Sequence, residues 1–166
     1  AGTVLDLEQP ELAIYAPSGY TLIPLRFAIE VQPGLQTTDA HETEIFIGMD
    51  RTQIQTAGTS TAKTFANMRS DIVSAPPFTA FSAYTADGVA APVFTELARK
   101  QGVCDFQGTP ATAEIRTLDL IYEPQCPPVL VGPGHFGIYY GGDIATPGFI
   151  QAFVLAIPSS LITGLS

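Results

Sequence analysis

Two histidines, His41 and His135, are the side chains here whose ordinary pKa suits proton transfer near neutral pH. Nucleophilic catalysis needs a nucleophile held beside such a base. His41 lies in the polar run Thr37-Thr38-Asp39-Ala40-His41-Glu42, and His135 follows Gly132-Pro133-Gly134. No Gly-x-Ser-x-Gly elbow occurs. Both histidines therefore read as exposed loop residues, and no catalytic residue is assigned. Asp39, His41, Glu42 and Glu44 form the one local cluster of metal-ligand types. On an extended segment Glu42 and Glu44 project to the same side, as a Ca²⁺ or Zn²⁺ contact would need. No Asp-x-Asp-x-Asp-Gly loop supports it, so the cluster reads as a solvated acidic loop and no metal ligand is assigned. Two scattered histidines also fall short of a cupin-type site.

Glycoside hydrolysis needs two carboxylates facing each other across a cleft. Glu30, Glu44, Glu114 and Asp119 are available, but there is no Trp to stack a sugar. Gly132-Pro133-Gly134 lacks the lysine and the following helix of a phosphate-cradling loop. No cofactor is expected, and the chain reads as non-enzymatic. Phe78, Phe81 and Tyr84, and the pair Tyr139-Tyr140, are either binding aromatics or sandwich core, the core being the commoner use.

The 166 residues suit one domain spanning 1–166. Only 14% are charged, against about 25% in ordinary soluble domains. A surface so poor in charge is either buried in an assembly or a neutral exterior rich in Thr, Ser and Gln. The net charge is −9, from 7 basic and 16 acidic residues. No basic patch exists to bind phosphates or an anionic membrane, so no direct nucleic-acid or membrane partner is expected. The longest apolar run, Ala152 to Ile157, is far short of a membrane-spanning helix. No leader-like pattern opens the chain, which begins at Ala1. Cys104 and Cys126 are the only cysteines. A bridge between them would close a loop worth about 3 kcal/mol; two free, part-buried thiols are the other reading.

Fifteen glycines and 14 prolines fall between short apolar segments along the whole chain, the punctuation of an all-β fold. Thr3–Leu7 reads as an edge strand. Leu12, Ile14 and Ala16 alternate up to Pro17-Ser18-Gly19. Leu25, Phe27, Ile29 and Val31 share one face of a strand, as do Thr43, Ile45, Ile47 and Met49. Asp50–Ala62 reads as a long loop or edge strand, and Thr64–Val73 is ambiguous. Phe78–Tyr84 alternates with aromatics on both faces, which implies burial on both sides or contact with a partner. Val93–Gln101 is the best helix candidate, because Glu96, Ala98, Arg99 and Lys100 favour helix, with Gly102 at its end. Ala113–Tyr122 is a strand of undecided facing, and His135–Tyr140 another. Phe149–Ile157 is the most hydrophobic strand and is expected at the centre of a sheet. The expectation is an all-β, two-sheet antiparallel sandwich, jelly-roll-like, with about 8–10 strands and at most one short helix.

The stretch Pro127-Pro128-Val129-Leu130-Val131-Gly132-Pro133-Gly134-His135-Phe136-Gly137-Ile138-Tyr139-Tyr140, followed by Pro147-Gly148-Phe149 through Ile157, resembles the closing strands of single jelly-roll virion proteins. In those, a Pro-Gly turn precedes an aromatic-rich strand and a long hydrophobic strand ends the domain. Capsid cement or decoration proteins of tailed bacteriophages are similar in size, acidity and lack of catalytic residues. Tumour-necrosis-factor-like and C1q-like trimeric jelly rolls end on similar strands. The resemblance implies a virion structural protein on the capsid exterior, a homotrimer bound to the major capsid protein, with the final strand and Phe78–Tyr84 as contacts. It supplies no site residues. The alternative is a receptor- or glycan-binding sandwich module of a viral fibre or adhesin. A cytokine-like trimeric ligand ranks third.

Overall fold

Alternation of apolar and polar residues decides most of the architecture. The computed structural model describes residues 5–32, 40–51, 60–68, 71, 74–86, 92–105, 117–142 and 147–162, with the backbone alone at 40, 41, 104 and 105. Ten strands follow in order: β1 (Leu12–Ala16), β2 (Tyr20–Val31), β3 (Ala40–Asp50), β4 (Thr61–Lys63), β5 (Thr79–Ser82), β6 (Thr95–Asp105), β7 (Leu118–Tyr122), β8 (Leu130–Val131), β9 (Gly134–Gly142) and β10 (Gly148–Pro158). A single 3-10 turn, Ser159–Leu161, follows β10. There is no α-helix among the described residues.

The strands form two antiparallel sheets packed as a sandwich. The larger has the order β4-β5-β1-β9-β3-β6. The smaller has the order β10-β2-β7, with β8 pairing the other end of β2. The chain changes sheets at Pro17-Ser18-Gly19, where Gly19 adopts φ of +85°, a region that glycine enters without steric cost. The Tyr20 N–H closes this turn on the Pro17 carbonyl at 3.2 Å. Leu12, Ile14, Ile45, Ile47, Met49, Phe136 and Ile138 face the core from the larger sheet, and Phe27, Ile29 and Val31 from the smaller. Phe27 meets Phe136 edge-to-face across the sandwich, centroids 5.8 Å apart. Each such side chain, fully buried, contributes about 1.5–3 kcal/mol.

Several expectations need correction. Val93–Gln101 is not a helix: Thr95–Asp105 forms β6, paired along its length with β3. Helix preference amounts to tenths of a kcal/mol per residue and yields to strand pairing. The charges that suggested a helix also suit a sheet edge, and Gly102 sits within the strand, opposite Thr43. Phe149–Ile157 lies at the margin of the smaller sheet, not its centre, because β10 pairs only with β2 among the described residues. Leu25 does not share the buried face of Phe27. The β2–β10 register skips it between Arg26 and Pro24, a bulge that turns its side chain outward, 48% exposed. Leu5–Leu7 form no strand, and residues 1–4, the Asp39 position and most of Ala113–Tyr122's first half lie outside the described residues. Cys126 is a free thiol and exposed, not part-buried; the side chain of Cys104 is not described.

Candidate functional site

The outward face of the larger sheet carries a second aromatic layer. Alternation sends Tyr15 from β1, Phe46, Gly48 and Asp50 from β3, and His135, Gly137 and Tyr139 from β9 to this side. Gly48 and Gly137 are direct cross-strand partners and leave a bare patch of backbone. Phe94 occupies it: a Cβ on Gly48 would stand 2.6 Å from the Phe94 ring, and one on Gly137 3.1 Å from it. The Phe94 ring meets His135, Tyr139 and Phe46 edge-on at 5.5, 5.6 and 5.7 Å. The segment leading to Phe94 is held by Asp50, whose Oδ2 accepts the Val93 N–H at 3.0 Å. On the other side Tyr139 donates its hydroxyl to the Leu7 carbonyl at 2.9 Å, tying the N-terminal segment down.

His135 is therefore not an exposed loop residue. It is 0% exposed in β9, stacked on Tyr15 with centroids 5.2 Å apart, and lies between Tyr15 and Asp50 in register. This acid–imidazole–phenol row is the feature that sequence reading missed, because the residues that cover it are remote in the chain. It is an interior polar cluster, with His135 and Asp50 both 0% exposed. Burial, and then the neighbouring Tyr84, push the Tyr15 phenol above its ordinary range. Burial likewise pushes Tyr84 up to about 12, against the opposing hydrogen bonds of Tyr15 and Ser60. The two hydroxyls lie 3.5 Å apart.

The other candidates separate. His41 lies in strand β3 rather than a loop, and its side chain is not described. Glu42 is exposed. Glu44 is committed to Arg99, with which it forms an ion pair, and to Gln101 at 3.2 Å. Arg99 also pairs with Glu96 at 3.1 Å and lies 4.8 Å above the Phe46 ring. Among the described residues no three His, Cys, Asp or Glu side chains converge as a metal site. Glu30 and Asp119 are cross-strand neighbours on the smaller sheet, while Glu44 belongs to the larger; Glu114 lies outside the described residues. Glu30 and Asp119 thus stand side by side on one open sheet face, not on two walls of a cleft. The Phe78–Tyr84 aromatics are each only partly buried: Phe78 packs on Phe65 at 5.0 Å and Phe81 on Tyr15 at 5.9 Å.

Two surface features remain. A hollow of about 200 Å³ is lined by Asp6, Glu11, Tyr84, Tyr139 and Tyr140, and burial raises the Glu11 carboxyl above its ordinary 4.5. The outward face of the smaller sheet mixes Arg26, Glu30, Asp119 and Gln151 with exposed apolar side chains. Phe149 is 70% exposed, Ile121 60% and Leu155 44%, beside the bulged Leu25. Isolated apolar residues on a surface are ordinary; here four of them share one sheet face, separated by the polar and charged side chains of the same strands. Comparison with protein-family models, curated proteins and solved structures finds no match to this chain.

Proposed function

We propose that this protein is a non-enzymatic structural subunit of a virion, a decoration protein seated on the outside of a shell built by a major capsid protein. The observation that supports this reading is the set of exposed apolar side chains on the smaller sheet, Leu25, Ile121, Phe149 and Leu155, standing among Arg26, Glu30 and Asp119. A chain of net charge −9 stays soluble by mutual repulsion. It concentrates its adhesive surface on one side, as a subunit that binds a shell must. The closing-strand resemblance supplies the virion setting.

The test is to purify intact particles from a culture that carries the gene. Antibodies against the chain should label their exterior, and shells lacking it should lose heat stability. Absence of the chain from purified particles overturns the proposal.

The hollow beside Tyr84, Tyr139 and Tyr140 favours a second reading, a glycan-binding module, since phenol rings and carboxylates are sugar-contacting groups. Binding of the isolated chain to a glycan array, lost in Tyr140→Ala, would select it over the first.

A further inference from the structure

We propose that β10 is the edge through which two copies of this chain pair, strand to antiparallel strand across a two-fold axis, joining two small sheets into one. The argument starts from the backbone. β10 has eleven residues, about 36 Å of strand. Among the described residues one edge pairs with β2 and the other pairs with nothing. A free edge is a row of unpaired N–H and C=O groups that invites another strand.

Proteins guard such edges with brevity, charge, proline or bulges, and the other three edges of this sandwich are guarded. β4 is three residues long and carries Lys63. β6 carries Glu96, Arg99 and Lys100. β7 has five residues and carries Asp119. β10 reads GFIQAFVLAIP: it has no charged residue and no proline before its last position. The bulge in its pairing with β2 lies on the β2 side, at Leu25. Among the described residues β10 alone is left open.

The same composition identifies the partner. A two-fold pairing sets each β10 residue against a residue of the identical strand. With no charge in the strand, no register brings like charges together, even though the chain as a whole carries −9. Phe149 and Leu155, exposed on the outward face, would continue the apolar surface across the seam. Guarded β7 edges at both ends of the joined sheet stop growth at two copies, in place of the three that the jelly-roll resemblance implies. The pairing deepens the assembly reading and rests on it only for its use on a shell.

Light scattering coupled to size exclusion at neutral pH measures it. The unmodified chain should elute at twice the chain mass. In a pairing centred on Phe153, position 151 faces position 155 of the other copy, so Q151K/L155K sets lysines against lysines on the solvent side. Its mass should halve, with the far-ultraviolet circular dichroism unchanged and the melting temperature no longer dependent on protein concentration. Mixing it with Q151E/L155E should restore the doubled mass. A monomer at the highest soluble concentration, a three-chain particle, or a dimer that survives both double variants overturns the pairing. A monomer that still coats particles sinks the pairing and keeps the decoration reading; a dimer absent from particles does the reverse.

Discussion

Glu11 stands immediately before β1 and lines the tyrosine hollow. Burial holds its carboxyl above the ordinary 4.5, so the folded chain binds this proton more tightly than the unfolded chain does. The resulting stability is fully present below the unfolded value and is lost as pH rises through the folded one. At neutral pH the ionised side chain opposes folding. Glu11→Gln should therefore melt above the unmodified protein at pH 7, and the difference should vanish below the ordinary carboxylate range. A pH series of thermal melts checks this, and equal melting at every pH would mean that the carboxylate is fully solvated. His135 shows how far single residues can be read from sequence. Its strand was evident from the alternation after Gly134, but its burial was not. The Phe94 ring and the Tyr15 stack that enclose it come from distant segments, and no local pattern announces them.

Among the elements, the paired glycines of β3 and β9 have the sharpest consequence. They bring Phe94 against bare backbone, so a side chain at Gly137 collides with the Tyr139 ring at 2.6 Å as well as with Phe94. Gly137→Val should destabilise the fold by about 1–3 kcal/mol, the usual cost of overpacking, read as a lower denaturant midpoint with an unchanged slope. β3 and the later part of β2 were legible because the core-facing set is apolar and the other face carries charge, Glu44 in β3 and Arg26 and Glu30 in β2. The Pro17-Ser18-Gly19 turn was legible because it needs the backbone freedom that Gly19 uses at φ of +85°. β6 was misread because Glu96, Arg99 and Lys100 satisfy both a helix surface and a sheet edge, and pairing with β3, a non-local fact, decides between them. β10 was misplaced because apolar residues on both faces signify double burial in a central strand. Here the outward set, Phe149 and Leu155, stands in solvent instead. The candidate surface was hidden for the same reason: sequence gives the apolar residues of β7 and β10 without saying which of them lack a cover.

Taken whole, the sandwich is unequal on its two sides. The larger sheet has the core on one face and, on the other, the layer of Tyr15, Phe46, Phe94 and Tyr139. Among the described residues nothing covers the outward face of the smaller sheet, where Phe149 and Ile121 stand exposed. The proposed shell contact and the proposed β10 pairing both fall on this side. The doubly covered sheet has a further consequence, in time rather than in space. Backbone amides exchange with solvent at rates set by the free energy of local opening. β1 and β9 lie in the interior of the larger sheet, with five consecutive buried residues in β1 and six in β9. Their deuterium uptake should be the slowest in the molecule and should track global unfolding. Amides of β7 and β10 should exchange earlier, through partial opening of the smaller sheet, and those of β10 should slow as protein concentration rises. Mass-spectrometric exchange at two concentrations would reveal this clock, and uniform uptake across both sheets would show that the inequality of cover carries no inequality of stability.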